Sequence, residues 1–132
     1  MIGRTLGSPR LLLATLVATF SFACAARHAS YQTAAAKDAV YRACIDAVSD
    51  VEYAVTSSDP ATGLIVAEKR TDNGRASVLH RLNIMLGTIG DKTTVRVNYV
   101  VSPPDTLYDD TFVQGRLVKQ LKARIPDIQV VQ

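Results

Sequence analysis

The chain has 132 residues, with 15 Lys and Arg against 12 Asp and Glu, no tryptophan and only eight aromatic residues. This length suits one domain around a single, mostly aliphatic core. Without Arg4 and Arg10, which precede the folded part, 13 basic residues face 12 acidic ones. The near balance and the lack of basic clusters exclude the electrostatic pattern of a nucleic-acid partner.

The first 23 residues have the layout of a bacterial export signal. Arg4 and Arg10 give it a basic start, and residues 11–22 are uncharged and mostly apolar. This apolar run is too short for a membrane-spanning helix, which needs roughly 20 residues. We therefore predict a signal peptide over residues 1–23.

The site of cleavage decides whether the mature protein carries lipid. Ser21-Phe22-Ala23-Cys24 is similar to a lipobox, whose cysteine receives diacylglycerol and becomes the new N-terminus. Cys24 is therefore the predicted lipid anchor, and the membrane is a predicted partner. Ordinary cleavage after Ala25 is the alternative, because Ala23-Cys24-Ala25 also fits the A-x-A pattern. Ala25 in place of Asp after Cys24 favours sorting to the outer membrane, with the domain facing the periplasm.

Residues 24–30 are predicted to form a tether, and residues 31–50 a helix. The helix prediction depends on apolar residues at helical spacing, namely Val40, Tyr41, Cys44, Ile45 and Val48. Cys44 in this stripe is predicted to be a small buried hydrophobe rather than a reactive thiol. With Cys24 lipidated, Cys44 has no partner for a disulfide.

From residue 51 the apolar period changes to two, which predicts strands over 51–56, 64–69, 76–86 and 93–102. Turn-forming residues separate these runs and predict hairpins. In the third strand, one face carries Val78, His80, Leu82, Ile84 and Leu86, and the other carries Leu79, Arg81, Asn83 and Met85. In the fourth, Val95, Val97, Tyr99 and Val101 point inward, and Thr94, Arg96 and Asn98 point outward.

A second helix is predicted after Pro103-Pro104, which end the sheet by removing backbone donors. Its predicted N-cap is Asp105 or Thr106, and its apolar stripe comprises Val113, Leu117, Leu121 and Ile125. Pro126 ends it, and Ile128, Val130 and Val131 predict a short last strand. The acidic set Asp105, Asp109 and Asp110 is interpreted as helix capping rather than a Ca²⁺ site.

The predicted fold class is α+β, in the order α-β-β-β-β-α with a possible last β. Short connections predict an antiparallel meander. Since each helix has one apolar stripe, both helices should pack on one face of the sheet. The opposite face would then be exposed, with Arg81, Asn83, Arg96 and Asn98 near its middle.

The helix 39–47, the strand Val51-Glu52-Tyr53-Ala54-Val55, the turn Asp59-Pro60-Ala61-Thr62-Gly63 and the strand Leu64-Ile65-Val66-Ala67-Glu68 follow one another directly. This order resembles the opening of small bacterial envelope lipoproteins with a helix-grip-like domain. A lipoprotein component of the β-barrel assembly machinery and several uncharacterised lipoprotein families share it. The resemblance implies a scaffolding or accessory role in the envelope and transfers no functional residue.

Motifs for catalytic or metal chemistry are absent from the sequence. The two histidines, His28 and His80, stand alone, and HxH, HExxH, CxxC and GxSxG patterns do not occur. His80 is interpreted as a satisfied core or rim histidine, and His28 as an incidental residue of the tether. We therefore predict no enzyme activity, no metal and no cofactor.

Two functions of different classes follow. The preferred one is a non-enzymatic, lipid-anchored interaction or assembly accessory module that docks on an envelope protein. Its candidate partner surface consists of Arg81, Arg96, Asn83 and Asn98, with the two guanidinium groups jointly meeting carboxylates. The alternative is a module that binds a lipid or another apolar ligand in a cavity between helices and sheet. The sequence leaves the oligomeric state open.

Overall fold

A computed structural model describes residues 27–72, 74, 75, 77–103 and 110–131 of the protein. Several sequence predictions lie outside these residues. They are the signal peptide over 1–23, the anchor Cys24, the caps Asp105 and Thr106, the acid Asp109, and the side chains of Asp110 and Val113.

The described chain forms six strands and two helices. They are β1 (Arg27–Thr33), α1 (Lys37–Asp50), β2 (Ala54–Asp59), β3 (Leu64–Asp72), β4 (Ser77–Ile89), β5 (Lys92–Ser102), α2 (Asp110–Arg124) and β6 (Gln129–Val130). The strands make one antiparallel sheet in the order β2-β3-β4-β5-β1-β6. The predicted α+β class and the antiparallel meander of β2, β3, β4 and β5 are confirmed.

The N-terminal boundary differs from the prediction. Residues 27–30, expected in the tether, and residues 31–33, expected in the first helix, form β1, all seven residues of which pair with β5. Tyr31 and Thr33 are buried, while their chain neighbours Ser30 and Gln32 are half-buried, which is the alternation of a strand. The helix begins only at Lys37, since the Thr33 hydroxyl accepts a hydrogen bond from the Ala35 N–H (3.1 Å) and forms a turn there.

The connection from α1 to β2 also differs from the prediction. Val51 caps the helix, and Glu52 adopts a left-handed backbone conformation with φ of 69°. The strand therefore starts at Ala54 rather than Val51, and it continues through a bulge between Val55 and Ser57 to Asp59. Val51 and Tyr53 are nevertheless buried, which explains why their spacing resembles a strand.

The core lies between the two helices and one face of the sheet, the inner face. The helices contribute Val40, Cys44, Ala47, Val48, Leu117 and Leu121, and the central strands contribute Val78, Leu82, Ile84, Leu86, Val95, Val97 and Tyr99. The predicted inward and outward faces of β4 and β5 are confirmed, because burial alternates along both strands. This packing is the main source of stability, since apolar burial dominates folding.

A side-chain clasp joins β1 to the turn between α2 and β6. The Asp127 carboxylate accepts hydrogen bonds from the Thr33 hydroxyl (2.6 Å) and the Ala34 N–H (2.9 Å). These two bonds, with a smaller contribution from the Lys92 charge, lower the pKa of Asp127. The clasp holds the C-terminal strand against β1, where β6 pairs with Tyr31 and Gln32.

Val97→Asp should unfold the domain. Val97 is 2% exposed, so a carboxylate there would be buried without a partner, at a cost of several kcal/mol against a total stability of about 5–15 kcal/mol. Arg96→Asp is the matched control, because Arg96 is exposed on the other face, and it should change the free energy of unfolding by less than about 0.5 kcal/mol. Thermal melts measure both, and equal losses would contradict the strand register.

Asp127→Asn should destabilise the fold at neutral pH but not in acid. Since the folded-state pKa lies below the ordinary aspartate value of about 3.9, the clasp stabilises the fold above that pH. Its contribution is lost as the pH falls through the folded-state pKa. Melting temperatures of wild type and variant should therefore differ at pH 7 and converge on acidification. Asp91→Asn, at an exposed turn aspartate, is the control, and a pH-independent difference for Asp127→Asn would contradict the prediction.

Candidate functional site

The candidate site is the outer face of the sheet, opposite the helices. The strand register arranges its side chains in rows that cross β3, β4, β5 and β1. One row is Leu64, Met85, Arg96 and Ser30, the next is Val66, Asn83, Asn98 and His28, and the third is Glu68, Arg81 and Val100. All four sequence-predicted surface residues therefore lie on this face.

Arg81 and Arg96 have different surroundings. Arg81 already forms an ion pair with Glu68 on the neighbouring strand, at 2.8 Å. The register puts Arg96 opposite Met85, four residues along β4 from Arg81, or roughly 13 Å at the rise of a strand. The expectation that both guanidinium groups jointly meet one partner stays a prediction. Exposed ion pairs contribute about 0–1 kcal/mol to the stability of the fold. The main consequence of the pair with Glu68 is therefore that the Arg81 charge is already neutralised.

Arg96 is an exposed charge near the middle of the outer face. Its guanidinium makes no ion pair or hydrogen bond with any residue that the structure describes. It lies between two shallow depressions of about 330 and 300 Å³, and it lines both. The first depression is also lined by His28, Ser30, Leu64, Asn83, Met85 and Asn98, and the second by Gln32, Ile89, Thr94 and Val131.

Asn98 contributes an unused hydrogen-bond acceptor beside Arg96. Its Oδ1 atom is buried and has no hydrogen-bond partner in the described part of the chain. A buried acceptor without a partner costs about 1–3 kcal/mol, a cost that a donor from a bound molecule would relieve. Asn98 also faces His28 across the β1–β5 pairing, so His28 lines this depression and is not part of a tether.

Large apolar side chains flank Arg96 and remain in contact with solvent. Met85 is 55% exposed, Ile89 66% and Val131 37%. Scattered exposed apolar residues are ordinary, but these three line the two depressions that share Arg96. The arrangement suits a ligand or segment that combines a carboxylate, an N–H donor and apolar side chains.

On the inner face, polar side chains form a hydrogen-bonded network around His80 that the sequence predicts only in part. His80, 2% exposed, contacts the Thr71 hydroxyl through Nε2 (2.8 Å) and the Tyr99 hydroxyl through Nδ1 (2.5 Å). Tyr53 hydrogen-bonds Tyr99, and burial, together with Tyr99, raises the pKa of Tyr53. The prediction that His80 is a satisfied histidine is confirmed. Because this network is buried, its side chains stabilise the core and do not form an open site.

The Cys44 thiol is unreactive. It is fully buried on α1, and burial raises the pKa of its thiol to about 12. The thiolate is the nucleophilic form, so almost none is present at neutral pH. The prediction that Cys44 is a small buried hydrophobe is confirmed.

Metal-binding clusters and membrane-spanning helices are both absent from the described residues. Within these ranges, histidine, cysteine and acidic side chains do not gather in groups of three or more that could hold a metal ion. Neither α1 nor α2 has the length and apolar character that crossing a membrane requires.

The similarity of the chain to known proteins is one to solved structures at low sequence identity. No protein-family model matches it, and no curated protein matches it. A solved structure from Thermus thermophilus, TTHA0849, is similar over 75% of this chain and 95% of its own, with 13% identity and a TM-score of 0.40. The structure of Ara h 8.0201 is similar over 75% and 96%, with 11% identity and a TM-score of 0.37. At these values the likeness carries no argument about function.

Proposed function

We propose that the protein is a non-enzymatic, lipid-anchored accessory module of the bacterial envelope that docks a protein partner on the outer face of its sheet. The anchor is Cys24, and the domain faces the periplasm from the outer membrane. The observation that carries the docking proposal is the concentration of unused binding groups around Arg96. Among the described residues, a guanidinium without a counter-ion, a buried acceptor without a donor and exposed apolar side chains meet on one open face.

The chemistry of the surface defines the partner segment. It presents a carboxylate to Arg96, because guanidinium and carboxylate form two parallel, charge-assisted hydrogen bonds. An N–H of the segment that displaces the side chains covering the buried Oδ1 of Asn98 would remove the cost of the unpaired acceptor. Apolar side chains on either side of the carboxylate cover Met85 and Ile89. Such a combination is typical of a short acidic segment of a protein.

The alternative is a ligand cavity between helices and sheet, and it has weaker support. The described side chains on the inner face are closely packed, with Leu82, Ile84 and Val95 each 0% exposed. A lipid would have to separate α1 or α2 from these residues and replace their contacts. The outer face offers the Arg96 guanidinium and the exposed Met85 and Ile89 side chains without any such rearrangement.

Cys24→Ser should release the protein from the membrane or leave it unprocessed. The substitution removes the thiol that would accept the lipid, and a single signal cleavage then leaves no membrane attachment. Labelled palmitate should enter the wild-type chain and not the variant. On fractionation, a cleaved variant should leave the membrane pellet, whereas an unprocessed one should stay in it at the larger mass of the uncleaved chain. Cys44→Ser is the control for cysteine loss and should still be labelled. Absence of label in the wild type would contradict the anchor.

Arg96→Glu should weaken partner capture several-fold while leaving the melting temperature nearly unchanged. A photo-crosslinking amino acid at Met85, in the same row as Arg96, reports capture in intact cells. The crosslinked peptide should contain an acidic residue, and changing that residue to Arg should restore capture by Arg96→Glu.

Arg42→Glu is the matched control, since Arg42 is an exposed arginine on α1, away from the outer face. It should crosslink like the wild type. Unchanged capture by Arg96→Glu, or equal loss in the two variants, would remove the outer face as the docking surface.

A further inference from the structure

The start of β1 limits how far the folded domain can stand from its anchor. β1 begins at Arg27, only three residues after Cys24, and its pairing with β5 starts at that first residue. Three residues of extended chain span about 10 Å. A lipid on Cys24 therefore holds the Arg27 end of the sheet close to the bilayer surface, and the expected flexible tether is too short to let the domain turn freely.

The β3–β4 hairpin projects beyond this same end of the sheet. Arg27 pairs with Tyr99, and Tyr99 pairs with Leu82 on β4. From Leu82, β4 extends another five residues to Ser77, paired with β3 as far as Asp72. At the rise of a strand, this overhang is about 17 Å. It therefore exceeds the reach of the three-residue link.

The hairpin tip is chemically suited to a lipid surface rather than to insertion. Its described residues are Arg70, Thr71, Asp72, Gly74, Arg75 and Ser77, without a large apolar side chain among them. Arg70 is exposed, and a guanidinium binds phosphate oxygens with two parallel hydrogen bonds. Asp72 accepts a hydrogen bond from the Gly74 N–H at 3.0 Å, so its carboxylate shapes the turn.

We propose that the tip of the β3–β4 hairpin contacts the phospholipid headgroups, with Arg70 as a phosphate-binding residue, and so fixes the domain upright on the membrane. This inference rests on the proposed anchor at Cys24. In this orientation the outer face stands at the side of the domain. Met85 lies level with Ser30, and Ile89 lies beyond the pairing of β1, both on the side away from the bilayer. The docking surface is then open to a partner in the periplasm.

Two engineered cysteines test the orientation. Ser77→Cys places a thiol at the hairpin tip, and Thr62→Cys places one in the exposed β2–β3 turn at the opposite end of the sheet. Both replace small, exposed hydroxyl side chains. A maleimide fluorophore labels them selectively, because Cys24 carries lipid and the buried Cys44 thiol has a pKa of about 12.

The full chain, purified from bacterial membranes, is reconstituted in vesicles of phosphatidylethanolamine and phosphatidylglycerol that contain a lipid with a nitroxide-labelled headgroup. We expect several-fold stronger quenching at position 77 than at position 62. Arg70→Glu in the Ser77→Cys background should reduce the quenching at position 77. Equal quenching at the two positions, or quenching unaffected by Arg70→Glu, would overturn the inference.

Fractionation and palmitate labelling of the same preparation separate this failure from failure of the anchor. If the chain is lipidated and the two labels are quenched equally, the orientation is wrong and the proposed anchor stands. If the wild-type chain carries no lipid, both the anchor and the orientation are overturned.

Discussion

The pairing of β1 with β5 is the interaction on which the rest of the structure depends. It joins seven consecutive residues at the beginning of the described chain to a central strand of the sheet. Without it β5 would be an exposed edge, a form of strand that invites unwanted pairing. β1 also carries β6 and the Asp127 clasp, and it completes the rows of side chains around Arg96 and Asn98. Fold, candidate site and distance to the proposed anchor therefore all depend on one antiparallel ladder.

That ladder is also the part that local sequence patterns missed. The faces of β4 and β5 are predictable, because nearly every inward residue is large and apolar and most of their neighbours are polar. In β1 the inward residues are Ala29, Tyr31 and Thr33, a weak alternation next to an alanine run that favours helix. What selects the strand is pairing with β5, whose residues are 60 to 72 positions away in the chain, together with Asp127. Local periodicity contains no information about such a partner.

The candidate site, too, is predictable from the sequence only in part. Parity along β4 and β5 is enough to predict that Arg81, Asn83, Arg96 and Asn98 share a face. Register is needed to learn that Glu68 already neutralises Arg81, that Arg96 has no such neighbour among the described residues, and that these residues enclose Oδ1 of Asn98 without giving it a donor. A one-residue shift in the β3–β4 pairing would exchange which charges meet, so these facts arise only from the assembled sheet.

The two faces of the sheet differ in whether a polar group needs a hydrogen-bond partner within the protein. On the inner face the polar side chains around His80 have hydrogen-bond partners. His80 and Tyr99 are hydrogen-bonded to each other, and Thr71 and Tyr53 extend this network. A buried polar group without a partner there would cost stability directly. On the outer face the Arg96 guanidinium loses little by having no ion pair within the described chain, since water solvates it. An unpaired charge can therefore lie on the outer face at little cost to the free energy of folding. Because helices and core lie on the other side, the outer face is free to be specified by binding rather than by folding.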